Sequence, residues 1–168
     1  MPEKKLIKKP SKVTDKKPSK VTSKKPSKVT DKKPSKVSNK KSDKSKNELV
    51  NYFLQLLINV KVFHWKTKSY AVHKATDELY EELNEYIDKF VEVMLGKDGS
   101  RLNMKDRKII ITDPSTKIEF KKIMYDYRIL LENKMNQYIS EKGNTDLYNI
   151  RDEILGNINQ FLYLITFE

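Results

Sequence analysis

No cysteine occurs among the 168 residues, which excludes disulfides and thiolate metal sites together. Glycine is scarce, four in all, and none lies in a run that could cradle a phosphate, so Gly-rich nucleotide loops are excluded as well. No apolar stretch approaches the ~18 residues of a spanning helix, so no membrane segment is expected. The N-terminus has no apolar leader, because only Leu6 and Ile7 interrupt its lysines, and no secretory signal is read there. No nucleophile–base constellation stands out. The expected setting is intracellular and nucleic-acid associated (nucleoid, nucleus or the inside of a virion), not secreted.

Positive charge is abundant but unevenly spread. Residues 1–46 hold 18 Lys against 4 acids, a net of +14, while the other 122 residues carry a net of −2. Residues 8–39 repeat with a period of eight, as KKPSKVTD, KKPSKVTS, KKPSKVTD and KKPSKVSN, followed by a degenerate KKSDKSKN. One Val per unit cannot offset the entropy of ordering the chain. A proline at every eighth position blocks a continuous helix. Residues 1–46 are therefore expected to be a disordered tail, and residues 47–168 a folded domain. The lysines Lys8, Lys9, Lys12, Lys16, Lys17, Lys20, Lys24, Lys25, Lys28, Lys32, Lys33, Lys36, Lys40 and Lys41 suit neutralisation of phosphates with release of counterions. No aromatic residue lies among them, so base stacking and sequence readout are not expected. The partner read from the tail is nucleic acid, bound without sequence preference; the alternatives are a solubilising or targeting tail, or one that binds another acidic surface.

The remaining chain carries four stretches of helical periodicity. Leu49, Phe53, Leu56, Leu57, Val60 and Phe63 mark the first, over 47–66. Val72, Leu79, Leu83, Tyr86, Phe90 and Met94 mark the second, over 71–95. Phe120, Ile123, Met124, Tyr127, Leu130, Leu131 and Ile139 mark the third, over 116–140. Leu147, Ile150, Ile154, Ile158, Phe161, Leu162 and Ile165 mark the fourth, over 146–166. Ser115 and Thr145 are candidate caps of the last two. The long link over 96–114 contains Ile109, Ile110 and Ile111, which predict either a short strand or packing on the helices. The fold class is all-α: a four-helix bundle with one long crossover between helices two and three, the ferritin-like arrangement.

The chain has only two histidines, and both lie near carboxylates. His73 and Asp77 are four apart, as are Asp88 and Glu92, so each pair shares a helix face. Imidazole and carboxylate together suit iron or zinc. With ~100° per residue, His73, Asp77, Asp88 and Glu92 flank the core stripe of the second helix. Asp77 and Asp88 are separated by ~16 Å along that helix, too far for one metal. Two antiparallel copies about a two-fold axis would bring His73 and Asp77 of one chain to Asp88 and Glu92 of the other. His64 would fold in across a short turn. Singly, each residue could be no more than a cap, a surface pair or a solvated face.

The run HWKTKSYAVHKATDELYEELNEYIDKFVEV resembles the ferroxidase region of the Dps family, the DNA-protecting mini-ferritins of starved cells. The C-terminal INQFLYLITFE is similar to that family's last helix. The resemblance implies a metal site made by His64, His73, Asp77, Asp88 and Glu92, with Trp65 near it, shared between two-fold related subunits of a closed shell, dodecameric in the family. It implies an iron substrate, Fe(II) oxidised to Fe(III) with peroxide or oxygen and then stored, hence a ferroxidase acting beside DNA. Two departures stand out. The two histidines are closer together than in most of the family, and 96–114 does not resemble its short crossover helix. The Glu-x-x-His pair of larger ferritins is absent, so no intra-subunit di-iron site is expected. The competing reading is a DNA-packaging or architectural protein on the same scaffold without ferroxidase activity.

Overall fold

A computed structural model describes the backbone of residues 36–167 and the side chains of 45–167. The described chain is all-helical: α1 (Lys36–Lys66), α2 (Tyr70–Gly96), α3 (Lys117–Ile129) and α4 (Thr145–Leu164), with no strand among the described residues. The repeats up to residue 35 lie outside the described residues. α1 begins at Lys36 rather than near residue 47. Pro34 is the last proline of the repeat, and from there to the end of α1 no residue lacks a backbone N–H to close the helical ladder.

Each helix buries most of the stripe its periodicity marks; Tyr86, Tyr127 and Leu130 pack against the core only partly buried. Leu49, Phe53, Leu56, Val60 and Phe63 of α1 are buried, as are Leu79, Leu83, Phe90 and Met94 of α2 and Leu147, Ile154, Ile158 and Phe161 of α4. Phe63 stacks on Phe120 with ring centroids 4.1 Å apart, and Phe120 meets Phe161 edge-on at 5.6 Å. Rings offset or edge-on in this way gain beyond simple area burial.

The contacts set the helix directions. Lys46 pairs with Asp98 and Lys61 with Asp77, so α1 and α2 run antiparallel. Asn59 lies beside Tyr127 and Phe63 against Phe120, so α3 also opposes α1. Arg151 reaches the Leu131 carbonyl while Phe161 meets Phe120, so α4 opposes the third helical stretch. Lys97 meets Asp146 and α4 packs along α2, with Leu79 and Phe161 lining one cleft, so those two oppose as well. α2 and α3 therefore run the same way, and the link between them must climb the length of the molecule.

Three asparagines on α1 hold that link. Asn47 Oδ1 accepts the Asn103 N–H at 3.3 Å, Asn51 Nδ2 donates to the Lys108 carbonyl at 3.2 Å, and Asn59 Oδ1 accepts the Thr112 N–H at 2.9 Å. Ile109, Ile110 and Ile111 form no strand within the chain and do not pack inward: they are 43 %, 66 % and 50 % exposed. The asparagine side chains bind backbone, and this orients the link by its polar groups and leaves the isoleucines outside.

The third helical stretch ends sooner than its pattern predicts. After Ile129 the chain passes into a π turn over Leu130–Lys134 and a 3-10 turn over Met135–Gln137. Leu131, Met135 and Ile139 stand four apart and are all buried. On a regular α-helix that spacing drifts by about 40° per step, and a wider turn takes up the drift. Arg151 Nη1 donates to the Leu131 carbonyl at 3.0 Å, satisfying a group near the altered turn. The caps also differ from expectation. Thr116, not Ser115, caps α3, in a reciprocal box with Glu119, because only a residue three before Glu119 can exchange both bonds. Asn144 precedes α4, with Thr145 its first helical residue; Gly143, at φ 80°, makes the turn into it.

Candidate metal centre

The three-residue turn between α1 and α2 brings both histidines together. Ser69 caps α2, its hydroxyl accepting the Val72 N–H at 3.4 Å, and α2 then runs straight back along α1. The His64 and His73 rings stack with centroids 3.9 Å apart at 24°. Their hydrogen bonds are reciprocal: His64 Nδ1 lies 3.1 Å from the His73 carbonyl oxygen, and His73 Nδ1 lies 3.2 Å from the His64 carbonyl oxygen. A carbonyl only accepts, so each Nδ1 must carry the hydrogen. In the neutral ring that leaves Nε2 of both with a free lone pair, the state in which imidazole binds a metal.

Thr76 completes the inner wall. It is fully buried, and its Oγ1 lies 2.8 Å from the Val72 carbonyl oxygen, 3.0 Å from that of His73 and 3.3 Å from His64 Nδ1. His64 is itself buried, 6 % exposed, and His73 half-buried. Asp77, one turn beyond His73, places Oδ1 3.7 Å from His64 Nε2. Two acceptors thus face one another. A first-row ion bonded to each at about 2.0–2.2 Å could bridge such a gap with little movement. The charge now beside Asp77 is an ammonium: Lys61 Nζ lies 3.5 Å from the same Oδ1, and 4.6 Å from the centre of the Tyr80 ring.

Within one chain, then, His64, His73 and Asp77 come together, and Asp88 and Glu92 do not join them. Both are exposed on α2, displaced along the axis from Asp77 by three turns or more. No group of three or more His, Asp or Glu among the described residues of one chain is arranged to hold a metal ion. Trp65 is 71 % exposed beside His64. Lys61 and Thr76 were not singled out by spacing. Both follow from the register of α1 against α2, which a single periodic pattern does not contain. Of the fourteen lysines read as phosphate contacts, Lys36, Lys40 and Lys41 fall in α1 with undescribed side chains, and the other eleven lie outside the described residues.

The chain belongs to a family of unknown function, DUF5856, which matches residues 64–165, a span that includes all five candidate ligands. It is similar to the "Uncharacterized 14.6 kDa protein in mobD-ri intergenic region" of Enterobacteria phage T4, 32 % identical over 122 residues, covering 69 % of this chain and 87 % of that protein. No solved structure shows a significant match. No described helix is long and apolar enough to cross a membrane.

Proposed function

We propose that the protein is a Dps-like mini-ferritin: a ferritin-like four-helix bundle that oxidises Fe(II) at sites shared by two subunits and binds DNA without sequence preference through its lysine repeat. The observation that carries this reading is the pair of facing acceptors, His64 Nε2 and Asp77 Oδ1, beside a second imidazole held in the same tautomer. The helix directions support the scaffold, since α2 and α3 parallel with one long connection is the ferritin-like order. Asp88 and Glu92, exposed on α2, are the carboxylates that a two-fold partner would bring to the trio. In such a site two Fe(II) each give one electron to one hydrogen peroxide. With two protons the peroxide leaves as two waters, and Fe(III) remains among carboxylates that suit both oxidation states. Consuming Fe(II) and peroxide together next to bound DNA would protect it from oxidative damage.

The test is anaerobic addition of Fe(II), then peroxide or oxygen, followed by absorbance of the ferric product. Saturable Fe(II) binding and fast ferric growth are expected. A protein that binds no iron and consumes no peroxide would overturn the ferroxidase and favour the second reading, a DNA-packaging protein on this scaffold. One contact favours that alternative: Lys61 Nζ already neutralises Asp77.

A further inference from the structure

The crossover link carries an unused β edge. Lys108 and Thr112 are tied to Asn51 and Asn59 of α1. Those asparagines are eight residues apart, a rise of about 12 Å on a helix. The link covers it in four residues, about 3 Å each, which only extended backbone does. In extended chain the N–H and C=O of alternate residues point to opposite sides. Lys108 and Thr112 use theirs toward α1, so those of Ile109 and Ile111 point away from it. Among the described residues nothing hydrogen-bonds the backbone of Ile109, Ile110 or Ile111. The edge has defined ends: Asp106 at φ 64° and Asp113 at φ 52° leave the extended region, and Pro114 follows.

We infer that this edge pairs with the same segment of a second copy, antiparallel about a two-fold axis through Ile110. Symmetry narrows the register. A two-fold exchange must map hydrogen-bonded pairs onto hydrogen-bonded pairs, and these alternate along an antiparallel ladder. A residue at the axis therefore faces itself. Centring on Ile110 lets Ile109 and Ile111 of each chain exchange N–H···O bonds with Ile111 and Ile109 of the other. The backbones of Ile109 and Ile111 are then used, and the Ile110 side chain meets that of its mate on one face. The same register brings the Arg107–Lys108 end of each segment to the Asp113 end of its mate, where a cation would join a carboxylate that Lys66 of its own chain already holds through Oδ1 at 2.9 Å. Three neighbouring exposed β-branched residues on an open edge are otherwise a liability for uncontrolled pairing. The inference shares a two-fold with the function proposed above but rests on the link alone.

The absence of cysteine makes a clean test available. In this register Ile110 occupies a non-hydrogen-bonded pair, with about 4.5 Å between the two Cα atoms, within the range a disulfide spans. Full-length Ile110→Cys should become a covalent dimer under mild oxidation, while Asn149→Cys, exposed on α4, should not. Ile110→Lys would place like charges face to face and should weaken the dimer in sedimentation by ~10-fold or more. The isoleucine is exposed, so folding should be unaffected. If Ile110→Cys fails to cross-link, or links no better than Asn149→Cys, the pairing is wrong, whatever the iron assay returns. If it cross-links selectively in a protein inert toward iron, the pairing stands and the ferroxidase reading falls.

Discussion

Asn59 shows how much one polar side chain can decide. It is 1 % exposed, and its Oδ1 accepts the Thr112 N–H. Asn59→Ala would leave that N–H without its partner and should cost ~1–3 kcal/mol. Urea unfolding would measure the loss, and hydrogen exchange at Thr112 should accelerate more than at residues in the middle of α4. An unchanged midpoint would mean that the tie contributes nothing. In the sequence Asn47, Asn51 and Asn59 look like one solvated stripe at multiples of four. Their partners are backbone groups of a link with no periodicity of its own, so nothing local announces the contact. The histidines were more legible. A short turn with antiparallel helices nearly forces His64 beside His73, although the reciprocal Nδ1 bonds depend on the register of α1 against α2.

Among the elements, α3 depends on its cap. The Thr116 hydroxyl accepts the Glu119 N–H at 3.2 Å, and Glu119 Oε2 accepts the N–H of Ser115 at 2.7 Å and of Thr116 at 3.2 Å. Thr116→Ala should destabilise the protein by ~1 kcal/mol, read as a lower thermal midpoint at unchanged helical content at 25 °C. Those backbone N–H groups hold the Glu119 carboxyl below its usual range. A carboxyl lowered in the folded state stabilises above its unfolded pKa and loses that contribution as the pH falls through the folded value. The link start behaves the same way. The hydrogen bond from Lys46, with that from Ser100, lowers Asp98 from 3.8 to about 2. Protection of the Ser100 amide, whose N–H Asp98 accepts at 3.0 Å, should therefore fall relative to its intrinsic exchange rate as the pH drops from about 4 toward 2. Asp98 is half exposed, so salt should blunt the effect and the pair should be worth under ~1 kcal/mol. Unchanged protection across that window would show that the ion pair does not hold the link.

For the whole molecule, the shared-site proposal makes a prediction that no single-chain site can imitate. Asp77→Ala and Glu92→Ala should each slow Fe(II) oxidation strongly without unfolding the helices, since neither belongs to the buried set. Mixing and reassembling the two should restore activity. In a mixed dimer one site draws Asp77 and Glu92 from intact positions and the other carries both lesions, so up to about half the activity returns. Sites contained in one chain would all keep one lesion, and the mixture would stay dead. Deleting residues 1–35, which leaves α1 complete, should abolish DNA mobility shifts. The full chain should show a salt slope of roughly 0.9 per phosphate neutralised. Equal DNA binding by the truncated protein would remove the tail from the function.

Sequence alone determined the four buried stripes, because an apolar face with a helical period has no other stable use. It also placed a short turn between residues 66 and 71 and the charge asymmetry between tail and body, which are properties of local chemistry and composition. The tertiary structure decided what depends on the register between distant segments. It brought Lys61 against Asp77, tied the link to asparagines of α1 and left three isoleucines outward. It also moved the end of the third helix, where keeping Leu131, Met135 and Ile139 buried outweighed a regular hydrogen-bond ladder. Side chains many residues apart in the chain set these outcomes, and no window of local sequence contains both partners.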